Sequence, residues 1–155
     1  MLTILPEYRP LSVIASVTGL LAAAAKVTLI VSGFIEKGKD APHSMRSVVL
    51  ELSDLTLSLC QLRPFIQGAS TASQDRREAI SVEQIVAIST SLVLNMSELE
   101  KLVDSCGIDK PMSLSSRLRW VRSEDELAKV LTRVQASKNS LNLILTVFTW
   151  WVIPQ

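Results

Sequence analysis

The chain has 155 residues, 48% of them hydrophobic and 20% charged, with a formal net charge of +1. That length suits a single domain with a real core, and the apolar share excludes a disordered chain. Near-neutrality gives no electrostatic reason to expect a nucleic acid, and Cys60, Cys106 and the lone His43 make neither a disulfide framework nor a zinc site. Two isolated cysteines fit a reducing compartment. Glycine and proline are sparse, at 5 and 6 residues, which favours helices over a β-sandwich with its many turns.

The first predicted helix runs from Pro10, a good first-turn residue, to about Lys37, with Gly38 as its stop. It is apolar on nearly every side, and Lys26 is the only charge between Pro10 and Ile35. A surface helix has one apolar stripe, so this one is expected to be the most buried helix, covered by other helices or by lipid. Leu11–Leu21 also has the length of a signal-peptide core. However, Glu7 and Arg9 cancel, so no basic leader precedes it, and the apolar pattern runs on past Ala23-Ala24-Ala25. A spanning helix needs ~20 apolar residues, and this segment supplies them. Ser12, Ser16, Gly19, Ala23, Lys26, Gly33 and Lys37 fall on one narrow helical line. Such a line suits a bundle helix with one edge near water, or a helix able to move into a membrane. The candidate membrane or partner helix therefore comprises Leu11, Val13, Ile14, Val17, Gly19, Leu20, Leu21, Ala23, Lys26, Val27, Ile30, Gly33 and Phe34.

Asp40-Ala41-Pro42 is expected to open the second helix, with Asp40 as N-cap and Pro42 in the first turn. Met45, Val48, Leu52, Leu55, Leu59 and Leu62 form its apolar line, and Pro64 should kink or end it. Residues 68–80 read as a polar loop. Ser81 and Gln84 form a capping box for the third helix, whose line is Val82, Ile85, Leu92, Met96, Leu99 and Val103, with Ser89 filling one step and Gly107 as stop. In the last helical region Ser123 and Glu126 repeat the capping-box pattern, so the helix either restarts there or continues with acids on its surface. Leu127, Leu131, Val134, Leu141, Leu145, Phe148 and Val152 then step by four and three, with Lys138 in one position.

These readings give an all-α fold, an antiparallel four-helix bundle with a long, nearly all-apolar first helix. A coiled-coil oligomer with the same heptads is the alternative. The shared core seam is expected at Leu52, Leu55, Leu59, Leu92, Met96, Leu99, Leu131, Val134 and Leu141. Residues 81–109 carry one base and five acids, a net of 1 − 5 = −4, and residues 110–138 carry seven bases and three acids, 7 − 3 = +4. That opposition favours contact between the third and fourth helices.

No catalytic constellation is visible. The glycines stand alone, with no Gly-Lys-Ser/Thr phosphate loop. Glu124-Asp125-Glu126 fits the favourable dipole at a helix start better than a metal site. Arg117, Arg119 and Arg122 beside Trp120 are expected to form a solvated face paired to the acidic third helix, with lipid or nucleic-acid phosphates as the sharper alternative. Trp150-Trp151 fits core packing or a covered end, and less well a membrane-interface anchor.

Pro10-Leu11-Ser12-Val13-Ile14-Ala15-Ser16-Val17-Thr18-Gly19-Leu20-Leu21 resembles the opening of the fungal N-terminal domain of STAND proteins, also titled the azaphilone pigment biosynthesis cluster protein L N-terminal domain. Asp40-Ala41-Pro42, Leu52-Ser53-Asp54-Leu55, Ser97-Glu98-Leu99-Glu100-Lys101-Leu102, Leu118-Arg119-Trp120 and Lys138-Asn139-Ser140-Leu141 resemble it in order, over about residues 10–148. The resemblance implies a non-enzymatic signalling or adaptor module at the head of an NLR-like receptor, acting by helix–helix contact. Its implied partners are other helical bundles or a second copy of itself, with membrane lipid as a possible further one and no cofactor, metal, nucleic acid or small-molecule substrate. The chain is also similar to HeLo-type bundles. That similarity implies the alternative of a membrane-active effector in cell death and heterokaryon incompatibility, whose first helix inserts into the bilayer. The implied location is cytoplasmic, with recruitment to membrane. Arg9 stands where the family has an acid, behind a leader at 1–9, and the atypical tail 149–155 departs from the family's polar continuation. Those departures leave open a stand-alone module, a truncated receptor and a non-functional fragment.

Overall fold

The computed structural model of the protein describes residues 8–38, 40–70, 82–108 and 113–152. Four helices account for nearly all of them: α1 (Tyr8–Lys37), α2 (His43–Ser70), α3 (Val82–Cys106) and α4 (Leu114–Val152). The fold is all-α.

Local chemistry sets most boundaries. α1 ends with Lys37 in its last turn, a favourable charge at a helix C-terminus, and Gly38 N–H donates back to the Ile35 carbonyl at 3.3 Å. Gly107 follows α3 with φ at +65°, the left-handed cap that glycine adopts without strain, and its N–H donates to the Asp104 carbonyl. α4 is capped by Ser113, whose Oγ accepts the Ser116 N–H at 3.2 Å.

Other boundaries differ from the sequence expectation. Asp40 lies in a turn three residues ahead of α2, too far out to cap it, and the Pro42 carbonyl accepts the Met45 N–H instead. Pro64 lies inside α2 without ending it. Its ring is on the exposed side while Leu62 and Ile66 are buried, so core packing carries the helix through the missing N–H. Ser123 does not restart a helix. Its hydroxyl donates to the Arg119 carbonyl one turn back, and Glu126 pairs with Lys129, leaving α4 as one helix of 39 residues. Tyr8 and Arg9, expected in a leader, and Thr149–Val152, expected in the tail, are helical. The proposed cap at Ser81 and most of the 68–80 loop lie outside the described residues.

Helices adjacent in sequence are antiparallel. Arg63 of α2 reaches Thr18 of α1, and α3 meets α4 through Glu98 with Arg133, Ser91 with Ser137 and Cys106 with Ser123. The protein is therefore two helical hairpins side by side. α1 packs on α2 and α3, and α4 packs on the same two, so the order around the bundle is α1–α2–α4–α3. Across the hairpins the neighbours run parallel: Ser44 meets Trp120 and Glu124, and Glu51 meets Lys138, numbers rising together on α2 and α4. The segment joining α2 to α3 comprises residues 71–81 and can extend ~35 Å. That exceeds the ~14 Å diagonal of helices packed 8–10 Å apart.

Each helix contributes one buried stripe. On α2 this is Met45, Val48, Leu52, Leu55, Leu59 and Leu62, and on α3 it is Ile85, Leu92, Met96, Leu99 and Val103 with Ser89 in the remaining step. On α4 the stripe is Trp120, Leu127, Val130, Val134, Lys138, Leu141 and Leu145. Leu131, expected in the seam, is half-buried, because Val130 takes the step between Leu127 and Val134. Leu52, Leu55, Leu59, Leu92, Met96, Leu99, Val134 and Leu141 are buried. Phe148 lies within α4, and its side chain is outside the described set.

α1 is not the most buried helix. Val13, Val17, Leu20, Ala24, Val27, Val31 and Phe34 are buried at alternating steps of four and three, but only 28% of its apolar window is covered. Among the described residues α2 and α3 are its two neighbours, and no third helix covers its back.

Candidate functional site

Two regions of the surface depart from what a settled bundle needs. The first is the outward face of α1. Ala15, Gly19, Ala22, Ala25, Lys26 and Leu29 are exposed, Leu29 by 74%. A Cβ added to Gly19 or Gly33 meets no atom within 4 Å, so neither glycine is demanded by packing inside the chain. Lys26 leans toward α3, where its ammonium lies 3.5 Å from Glu100. The remainder of the face is small and uncharged from Ala15 to Leu29.

The residues expected to make the membrane or partner helix divide between the sides of α1. Val13, Val17, Leu20, Val27 and Phe34 are buried in the core. Ile14, Leu21, Ala23, Ile30 and Gly33 are half-buried along its flanks, and only Gly19 and Lys26 face out. The side chain of Leu11 is outside the described set. Sequence reasoning did not single out Ala15, Ala22, Ala25 and Leu29. On an all-apolar helix, composition carries no mark of which side turns inward; the heptad of larger residues from Val13 to Phe34 was the available signal.

The second region is the seam between α2 and α4, which is polar along its length. At one end the fully buried Trp120 donates from Nε1 to Ser44 Oγ at 2.8 Å, and Ser44 donates to Glu124 Oε1 at 2.7 Å. Midway, the Lys138 ammonium lies 2.6 Å from Glu51 Oε1 and 3.6 Å from Asp54 Oδ2. The Lys138 side chain is only 10% exposed and that of Glu51 15%. Beyond it opens a cleft of about 460 Å³ lined by Asp54, Ser58, Gln61, Asn139, Asn142 and Thr146, among others. Glu51 Oε1 is sealed from solvent and receives no hydrogen bond of good angle. The ammonium therefore meets it as a close charge and not as an aligned donor. Sequence reasoning placed Lys138 in the α4 seam without a partner, since Glu51 lies 87 positions earlier (138 − 51).

The other residues singled out from the sequence lie around these regions. Trp120 points into the core, so Arg117, Arg119 and Arg122 are not interleaved with an exposed aromatic ring. Two acids of α3 pair outside the expected Arg117, Arg119 and Arg122 face, Glu98 with Arg133 of α4 at 2.9 Å and Glu100 with Lys26 of α1. His43 is exposed at the start of α2. Among the described residues no three His, Cys, Asp or Glu side chains lie close enough to hold a metal ion. Trp150 is 78% exposed and, with Leu143 and Val147, leaves an apolar patch near the end of α4.

The fold defines the chain as all-α, with four helices among the described residues packed as two antiparallel pairs. No protein-family model, no curated protein and no solved structure matches it.

Proposed function

We propose that the chain is a non-enzymatic signalling or adaptor bundle that works by helix–helix contact, as the N-terminal domain of a fungal NLR-like STAND receptor does. The observation that carries this reading is the outward face of α1. Small residues let a second helix approach closely enough for backbone-to-backbone packing, and Ala15, Gly19 and Ala22 line such a track with no occupant among the described residues. The partner is another helical bundle or a second copy of this one. Gly19→Leu tests it directly. The added side chain points into open space, so the monomer should keep or raise its stability by up to ~1 kcal/mol. A close external contact should be lost. Sedimentation of the purified chain, alone and fused to an oligomerising partner, reads the association. Equal association by Gly19→Leu and the parent chain removes α1 as the contact.

A second reading has its own support. Ser12–Lys37 has 26 residues with a mean hydropathy of 2.0, long and apolar enough to cross a membrane. In this reading α1 leaves the bundle and enters lipid, and the chain is a membrane-active cell-death effector. Ala22→Asp separates the two. The position is exposed, so the charge costs little in the bundle, whereas at a bilayer centre it costs at least ~2.5–3.5 kcal/mol. Liposome flotation and leakage abolished by Ala22→Asp, with the fold intact by circular dichroism, favours the membrane reading. Absence of flotation by the parent chain leaves the adaptor.

A further inference from the structure

The two hairpins are joined along two seams of different character. Every buried residue that α1 brings toward α2 and α3 is apolar. The α2 and α4 backbones approach each other closely at fewer places than any other adjacent pair of the four helices. It holds the Trp120–Ser44–Glu124 chain, the Lys138–Glu51–Asp54 cluster and an open polar cleft. An apolar seam is non-directional and tolerates small rotations. A polar seam holds only while its partners are aligned, and a network only partly satisfied is the weak point of an interface.

We propose that the hairpins form a hinged pair that parts along α2/α4, with the α1/α3 seam as hinge and Lys138 as the latch. Lys138 sits on α4 in a step of the core stripe, between Val134 and Leu141, and its charge is held by two carboxylates of α2. Glu51 is the inner catch, nearly enclosed. Asp54 is the outer one, with its side chain 65% exposed at the mouth of the cleft. Remove one of the opposed charges and the other is left partly enclosed without its counterion. It regains solvation by moving the few ångströms that bring the cleft's water to it, which separates α2 from α4. Helical hydrogen bonds are untouched by this motion, because each runs within one helix. The device stands on this geometry and does not depend on the adaptor or the membrane reading.

Electron-spin distance measurements on the whole chain test it. In a Cys60→Ser background, with Cys106 buried, label pairs are placed at exposed positions. Leu57 with Leu143 spans the latch seam, Ala22 with Ser97 spans the hinge seam, and Ala25 with Ser53 lies within the first hairpin. In Glu51→Gln the long-distance population for Leu57 with Leu143 should rise about ten- to hundredfold, the factor expected for leaving a largely enclosed charged group short of its nearest partner. The other two pairs should keep their parent distances, and the helical circular dichroism should be unchanged. Unchanged distances across Leu57 with Leu143, or broadening of all three pairs together, overturns the latch. Should Glu51→Gln fail to fold, the double variant Glu51→Leu with Lys138→Met decides. An apolar replacement of a buried pair is often tolerated, so this variant should fold and give a narrower Leu57–Leu143 distribution than the parent. Failure of the double variant to fold, or a distribution as broad as the parent's, overturns the proposal.

Discussion

α1 and α4 occupy diagonal corners of the bundle and bury stripes of similar spacing, yet they are built in opposite ways. The α1 stripe is wholly apolar, with valines, an alanine, a leucine and a phenylalanine, and its outer face is small and nearly uncharged. The α4 stripe includes Trp120 with a hydrogen-bonding edge and Lys138 with a charge, while its outer face carries Arg119, Arg122, Glu126, Lys129 and Arg133. Adhesion through α1 comes from area alone, which fixes depth but not register. Adhesion through α4 comes partly from directed polar contacts, which hold only when Ser44 stands opposite Trp120 and Glu51 opposite Lys138. One helix supplies cohesion and the other supplies alignment.

That contrast can be broken by substitution. The largest expected effect is Trp120→Ala, which empties a fully buried site and leaves Ser44 without its indole donor. A loss of about 3–5 kcal/mol is expected in denaturant unfolding. Leu20→Ala removes a fully apolar contact of α1 and should cost about 2–5 kcal/mol. The two differ in kind. Trp120→Ala should also loosen the α2/α4 register, seen as new amide-exchange protection patterns at Ser44–Glu51, whereas Leu20→Ala should lower stability without changing which residues exchange first.

Leu131→Ala should cost clearly less than Val134→Ala or Leu141→Ala do, after scaling for side-chain size, because Leu131 is only half-buried. Equal unfolding midpoints for Leu131→Ala and Leu141→Ala would place Leu131 in the core after all. The smallest effect belongs to Lys26→Ala. Its pair with Glu100 is exposed on the lysine side and screened by solvent, so the loss should stay within ~0–1 kcal/mol and shrink further in salt. A larger, salt-resistant loss contradicts the view that α1 adheres by apolar area alone.

Much of this was legible in the residues. Heptad steps from Met45 to Leu62 on the second helix and from Ile85 to Val103 on the third matched buried stripes, the Val82 side chain lying outside the described set, because period alone assigns a face once a helix has a polar side. Gly107 stopped α3 as expected, since only a left-handed residue closes that turn without strain. Ser123–Glu126 left open a restart or a continuous helix, and the helix continues, because a capping pattern is also an ordinary surface pattern and the core contacts of Trp120 and Leu127 on either side hold it together. Pro64, expected to kink or end its helix, does not end it, with Leu62 and Ile66 anchored in the core around it.

By itself the sequence determined four helices, the stripes of the second and third and the exceptional apolarity of the first, because each depends on spacing within a few turns. Only the tertiary structure decided three further things. It placed same-direction helices side by side, turned Ala15, Gly19, Ala22 and Leu29 of α1 outward, and brought Glu51 to Lys138. The physical reason is common to all three. An all-apolar helix has no local preference for which side it hides, and a lone seam lysine has no local partner. Both are settled by which helices the chain packs next to one another.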